Sequence, residues 1–432
     1  MGNARIVSQS DQGLKVCAAA ARISTTEGGA LGLLEGRMGG DRDRMLVKKV
    51  LSSGHKSLIE HHALTVAMDS VSVLAEQFLI ESRLVAFTVK SRRYVDFGGA
   101  GFYVPPSLTG ELRARYESAM RDRFSDYVAL VKLGVPLEDA RFVLPYCFAS
   151  HFYMTLNARS LLQLIFALRY GRGSAFEELR ALGEQLAAQF EALYPGVIEA
   201  ERAHHPDARP ARLVAELHAS APAQLRVTLT AAPADAPAAL ERALDFTGRY
   251  RMDELRALTR DARARELEAL CYTFLLEGVS QACVTHFARH RMQSPLFEPA
   301  LHTLNRGRYV LPETVAAEGG EALERYEAAF RANERTARAL GEDGLAPELL
   351  SYFALSGHTA RLMLTMNARE LSHFMRLRTC ERAQWEIRAF SQEMLRKLTG
   401  SFPELFRWYG PGCAVTGRCP EGRLSCGRPK TL

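Results

Sequence analysis

Long apolar runs are missing from this 432-residue chain, and none reaches the length that a membrane-crossing helix needs. Met1-Gly-Asn-Ala-Arg-Ile6 is not followed by the apolar core of a signal peptide. Ile6 also stands where a myristoylation signal wants Ser or Thr. The expectation is a cytoplasmic protein with no membrane partner. Lysine is scarce, so the formal charge of +6 comes mostly from arginine. Without basic tracts a nucleic-acid partner is not expected, and small phosphate-bearing ligands suit the arginines at least as well. The eight cysteines follow no disulfide framework, which fits reduced thiols. Cys413, Cys419 and Cys426 in the tail lack the tight Cys-x-x-Cys pair of zinc sites, so no metal is expected.

A hydrophobic content of 47% is enough for two cores. The stretch 367–388 has no Gly or Pro and reads as one continuous helix. Asn367 and Arg378 fall on the same stripe of it, three turns apart. An amide and a guanidinium so placed suit a planar, anionic ligand, although a solvated basic face is an equally open reading. The pattern occurs twice. Asn157-Ala-Arg159 with Leu168-Arg169 precedes Asn367-Ala-Arg369 with Leu377-Arg378 by about 210 residues. Leu64-Thr-Val66 likewise matches Tyr272-Thr-Phe274, and Arg93-Tyr94 matches Arg308-Tyr309. The chain is therefore a tandem duplication, expected as units at 1–203 and 221–432 with a linker at 204–220.

In chain order, the first repeat reads as a strand at Ile6-Val7, a helix over 13–22, a Gly-rich mobile stretch over 28–40 and a helix over 42–51. Gly54-His55-x-Ser57-x-x-Glu60-His61 is either an anion-binding turn or an ordinary helix start. A strand over 63–68 and a helix over 74–84 follow. Ser91-Arg92-Arg93-Tyr94 is expected on a turn before the next strand, gripping phosphate. Helices are expected over 110–132, 137–157 (carrying Arg141) and 176–193. The second repeat reads as strands over 225–229 and 271–276, with helices over 235–247, 252–269, 279–290 and 321–340. Arg289-His290-Arg291 crowds three cationic or potentially cationic residues, which repel one another unless an anion sits among them.

Taken together, Gly54-His55-x-Ser57-x-x-Glu60-His61, Arg289-His290-Arg291, Asn367-Ala-Arg369, Leu377-Arg378 and Ala383-Gln-Trp-Glu-Ile-Arg388 resemble the flavin-dependent thymidylate synthases. The resemblance covers both halves. It implies an α/β (α+β) fold, two copies of a mostly antiparallel sheet with helices. It also implies FAD as cofactor, dUMP as substrate, and methylenetetrahydrofolate and NADPH as co-substrates, with no cysteine nucleophile. Carried over by position, flavin contacts fall to Ser57, Arg289, His290, Arg291, Asn367, Arg369 and His373. Contacts to dUMP fall to Ser91, Arg92, Arg93, Arg141, His286, Arg289 and Arg378. Arg378 is the residue expected to stabilise charge on the uracil ring, and His55 to assist positioning.

Neither half is complete. Glu81-Ser82-Arg83 stands where the first repeat wants Arg-His-Arg, Val89 replaces an acidic residue, and residues 173–177 are aligned with 382–386. The second repeat carries residues 262–269 in place of the Gly-His-x-Ser element and Ser351 in place of Arg141. It also has a longer segment, with Pro295 and Pro299, between Arg291 and Arg308. These losses are complementary, which implies composite sites shared by the two units and a homodimer rebuilding the family's four-unit assembly as a pseudo-tetramer. The alternative is a non-catalytic relative that binds flavin or nucleotide and acts as a scaffold or regulator.

Overall fold

A computed structural model describes residues 2–36, 39–203 and 212–431. It divides into two compact units, Met1–Leu217 with Glu313–Leu355, and His218–Pro312 with Ser356–Leu432. This differs from a contiguous division at 204–220, a linker of which residues 204–211 lie outside the described residues. The segment 313–355 packs within the first unit because its amphipathic helix, Gly320–Glu342, finds its partner in Gly110–Lys132. There Arg123 donates to the Ala329 carbonyl at 2.9 Å, and Tyr116 meets Phe353 edge to face at 5.5 Å.

Each unit holds a four-stranded sheet. In the first, β1 (Asn3–Gln9), β2 (Ala63–Ser72), β3 (Ala86–Val89) and β4 (Ala149–Asn157) run in the order β1-β2-β4-β3, every pairing antiparallel. A short parallel pair, β5 (Ala221–Pro222) and β9 (Arg308–Tyr309), belongs to the second unit. Its main sheet comprises β6 (Arg226–Ala231), β7 (Cys271–Ser280), β8 (Gln293–Phe297) and β10 (Thr359–Asn367), in the antiparallel order β6-β7-β10-β8. The two orders are the same topology. Even the irregularities repeat: β2 and β7 each slip register near their ends, at a left-handed Ser70 (φ 52°) and a left-handed Gly278 (φ 76°). At Gly278 the Gln224 carbonyl would meet an added Cβ at 2.2 Å, so only glycine fits there.

Several local expectations need correction. Residues 137–157 are not one helix. Leu137–Ala140 is helical, a 3-10 turn spans Arg141–Val143, Pro145 interrupts, and β4 follows. In β4 the burial alternates, with Phe152, Met154 and Leu156 inside, which is the period of a strand. The stretch 367–388 is two helices, Ala368–Arg378 and Trp385–Ser401. The second restarts because the Gln384 side chain accepts from the Glu386 and Ile387 amides, both at 3.1 Å. Strand β7 continues to Ser280, so its helix is only Gln281–Ala288. Residues 252–269 divide into the helix Leu255–Arg260 and 3-10 turns at Met252–Glu254 and Arg265–Ala269. The Ser91 turn follows β3 instead of preceding a strand, and residues 28–40 include a short helix, Ala30–Glu35. The inserted Pro295 sits in edge strand β8, where a missing N–H is tolerated, and Pro299 caps the helix Ala300–Arg306.

Candidate functional site

In the second unit, two chain reversals build a cavity of about 530 Å3. One is the end of the helix Gln281–Ala288, whose start is fixed by Ser280. The Ser280 hydroxyl accepts from the Cys283 amide at 3.0 Å. Its own N–H and Oγ donate to the buried Glu386 carboxylate at 2.6 and 2.5 Å. After Ala288 the chain leaves the helix, bringing Arg289, His290, Arg291 and Met292 to the cavity wall. The other is the turn from β10 into the helix Ala368–Arg378, where Asn367 Oδ1 accepts from the Glu370 amide at 2.8 Å. Asn367 is thus the helix cap, its amide oxygen already engaged, with its residue still lining the cavity.

Arg289, His290, Arg291, Asn367, Arg369, His373 and Arg378 all line this one cavity. His286 is buried one turn before Arg289, and its carbonyl accepts from Arg378 Nη2 at 3.3 Å. Five arginines line the cavity (Arg289, Arg291, Arg369, Arg376 and Arg378) against three carboxylates, Asp261, Glu268 and Glu370. The excess of guanidinium suits it to an anion. Arg369 is held by Glu268 at 2.5 Å and by the Ala262 carbonyl at 3.2 Å.

At the centre, buried His290 lies between two partners. Its Nδ1 is 3.1 Å from Glu370 Oε1, and its Nε2 accepts from Arg378 Nε at 2.9 Å. Burial pushes the His290 pKa down. The Glu370 hydrogen bond pulls it up, and Arg378 and His373 lower it further. The imidazole is neutral at neutral pH. Since a guanidinium only donates, Nε2 is the bare nitrogen and Nδ1 carries the hydrogen toward Glu370. Phe374 packs edge-on against the ring at 4.7 Å.

The first unit gathers the other motif residues differently. Arg93 Nε donates to Glu138 Oε2 at 2.7 Å and Arg141 Nε to the Glu138 carbonyl at 2.9 Å, so both guanidiniums meet at one residue. Ser91 Oγ accepts from the Arg93 amide at 3.3 Å on the same turn. Arg92 is buried, ion-paired with Glu76 and stacked over Phe148 at 5.5 Å. His55 and Ser57 lie exposed beside the 3-10 turn Lys56–His61, and Glu60 pairs with Arg159 at 2.5 Å. That pair repeats Glu268 with Arg369. Where the second unit has Arg289, the first has half-buried Glu81, paired with Arg172 at 2.5 Å.

Three carboxylates escaped sequence reasoning. Glu138 and Glu370 carry no motif of their own. The counterpart of Glu386 is Glu178, one residue later than the aligned Glu177. Glu178 accepts from Ser72 N and Oγ at 2.7 and 2.6 Å, as Glu386 does from Ser280. The serine-to-glutamate spacing of 106, identical in both repeats, was the signal available in the sequence.

The family model described as "Thymidylate synthase complementing protein" matches residues 5–196 and again 217–404. A flavin-dependent thymidylate synthase of Geobacter sulfurreducens is 41% identical over 165 residues, covering 38% of this chain and 70% of that protein. One from Clostridium tetani is 33% identical over 178 residues, covering 38% and 71%. The solved structure of a UMP/dUMP methylase PolB from Streptomyces cacaoi bound with 5-Br dUMP shares 27% identity over 47% of this chain and 95% of that one, with a TM-score of 0.40.

Proposed function

Because the chain belongs to the thymidylate synthase complementing protein family, matched in both of its repeats, we propose that it is a flavin-dependent thymidylate synthase acting on dUMP. The observation that carries the reading is the second unit's arginine-lined cavity, with Arg289-His290-Arg291 and Arg378 on its walls. Its volume is that of a small-molecule cofactor site, and its donor set fits a phosphate-bearing, planar group such as FAD. Arg289, Arg291 and Arg369 would hold the charged part, with His290, His373 and the Asn367 amide nitrogen as further contacts. When bound, FAD supplies hydride, with methylenetetrahydrofolate as carbon source and NADPH as reductant.

The nucleotide requires its own grip. Ser91, Arg93 and Arg141 form the phosphate end of that grip in the first unit, where Glu138 gathers the two arginines. Arg378 and Arg289, with His286, form its base end in the second. Arg378 stays charged at any physiological pH, so it stabilises negative charge developing on the uracil ring without a proton transfer. Ser57 and His55 complete the flavin side. The complementary losses support composite sites drawing on both units, assembled in a homodimer of two-repeat chains.

The test is direct. The purified protein should carry flavin absorbance and convert dUMP to dTMP with methylenetetrahydrofolate and NADPH, and Arg289→Ala should release the flavin. Flavin bound with no dTMP formed would instead identify a non-catalytic relative. Unchanged flavin content in Arg289→Ala would remove the assigned cavity.

A further inference from the structure

We infer that Glu370 is a positioning residue for Arg378, acting through the tautomer of His290; this rests on the thymidylate synthase reading of the same cavity. Glu370 touches neither of the reacting groups assigned above. Its carboxylate instead faces His290 Nδ1 at 3.1 Å, and His290 Nε2 faces Arg378 Nε at 2.9 Å. The three residues form a chain in which only one arrangement of protons satisfies every contact. A carboxylate accepts, so Nδ1 bears the hydrogen. Nε2 is then bare and accepts from the guanidinium.

The opposite tautomer would turn Nε2–H against Arg378 Nε–H and leave Nδ1 against Glu370 with two lone pairs opposed. The imidazole is buried, and such a clash costs more in a low-dielectric interior than in water. The selection is therefore strict. With Nε tied to His290 and Nη2 to the His286 carbonyl, the guanidinium plane is set by two anchors on the same chain reversal. Glu370 is itself fixed at the first turn of the helix Ala368–Arg378, where its amide donates to the Asn367 cap. The Asn367 motif and Arg378, eleven residues apart, are thus tied by hydrogen bonds as well as by the helix. The first repeat has Ser160 at the equivalent capped position, its amide donating to Asn157 Oδ1 at 2.8 Å, and Glu81 where Arg289 stands. The device belongs to the second unit.

The experiment compares the full-length wild type with Glu370→Ala and Glu370→Gln, using histidine-selective 15N labelling to read which nitrogen of His290 is protonated, beside flavin content and dTMP turnover. The Gln side chain can still accept from Nδ1–H, so E370Q should keep the Nδ1–H tautomer and near-wild-type turnover. E370A, in which only Arg378 still selects the tautomer, should weaken the Nδ1–H preference and lose about tenfold in kcat, the effect of one lost buried hydrogen bond, with flavin still bound. An Nε2–H tautomer in the wild type, or E370A keeping both the wild-type tautomer and turnover, would overturn the inference. Equal losses in E370A and E370Q would do so as well. If the wild type forms no dTMP, the thymidylate reading fails, and the tautomer comparison, which needs no substrate, still judges Glu370.

Discussion

His62 sits in the first unit's core, 3% exposed, with Nδ1 2.6 Å from the Tyr194 hydroxyl and Nε2 3.2 Å from Gln9 Oε1. Burial lowers its pKa below the usual 6.5. On acidification the unfolded chain takes this proton first, so stability is lost as pH falls below about 6.5, until the folded imidazole is protonated too. His62→Gln, which keeps a polar partner for Tyr194, should flatten the acid dependence of thermal unfolding below about pH 6.5. Parallel slopes in the two proteins would remove His62 from that account. At this scale the sequence was partly legible. The motif arginines of the second repeat all reach one cavity, because two chain reversals, after Ala288 and at Asn367, bring them to the same wall. Nothing in Ser91-Arg92-Arg93 says which guanidinium turns inward. Glu76, sixteen residues earlier, decides that.

Among the secondary elements, the two sheets repeat each other in strand order and irregularity, and each has a buried carboxylate holding the serine that starts the next helix. Glu178 accepts from Ser72 N and Oγ, and from Tyr352 Oη at 2.9 Å; Glu386 accepts from Ser280 N and Oγ. Glu386→Ala strands two buried donors and should cost about 2–3 kcal/mol. It should also loosen the turn that delivers Arg289-His290-Arg291. Urea unfolding of the variant measures this, and a loss below about 0.5 kcal/mol would show that the carboxylate is not what holds the turn. The Trp385-Glu-Ile-Arg388 motif is therefore architectural at Glu386, although it was recognised through a functional resemblance. Strands β4 and β10 were hidden because the first lacks glycine and the second ends in a helix cap. Only the alternation Phe152, Met154, Leu156 and Leu362, Leu364, Met366 separates them from helix.

For the whole molecule, the duplication was legible and the grouping of its parts was not. The helix Gly320–Glu342 is amphipathic, and an amphipathic face announces that it will be covered without naming its cover. Within the described residues that cover is the first unit's helix Gly110–Lys132. The uneven fate of the two repeats is chemical. The second keeps five arginines around a neutral imidazole. The first carries Glu81 with Arg172 at the matching position, and its Arg169 is taken by Glu184 at 2.8 Å. The central claim is that thymidylate synthesis uses the second unit's guanidinium and not its first-repeat counterpart. Measuring dTMP formation by Arg378→Ala and Arg169→Ala beside the wild type tests it. The account predicts that Arg378→Ala abolishes turnover while Arg169→Ala leaves it nearly intact, and loss in Arg169→Ala with activity spared in Arg378→Ala would contradict it.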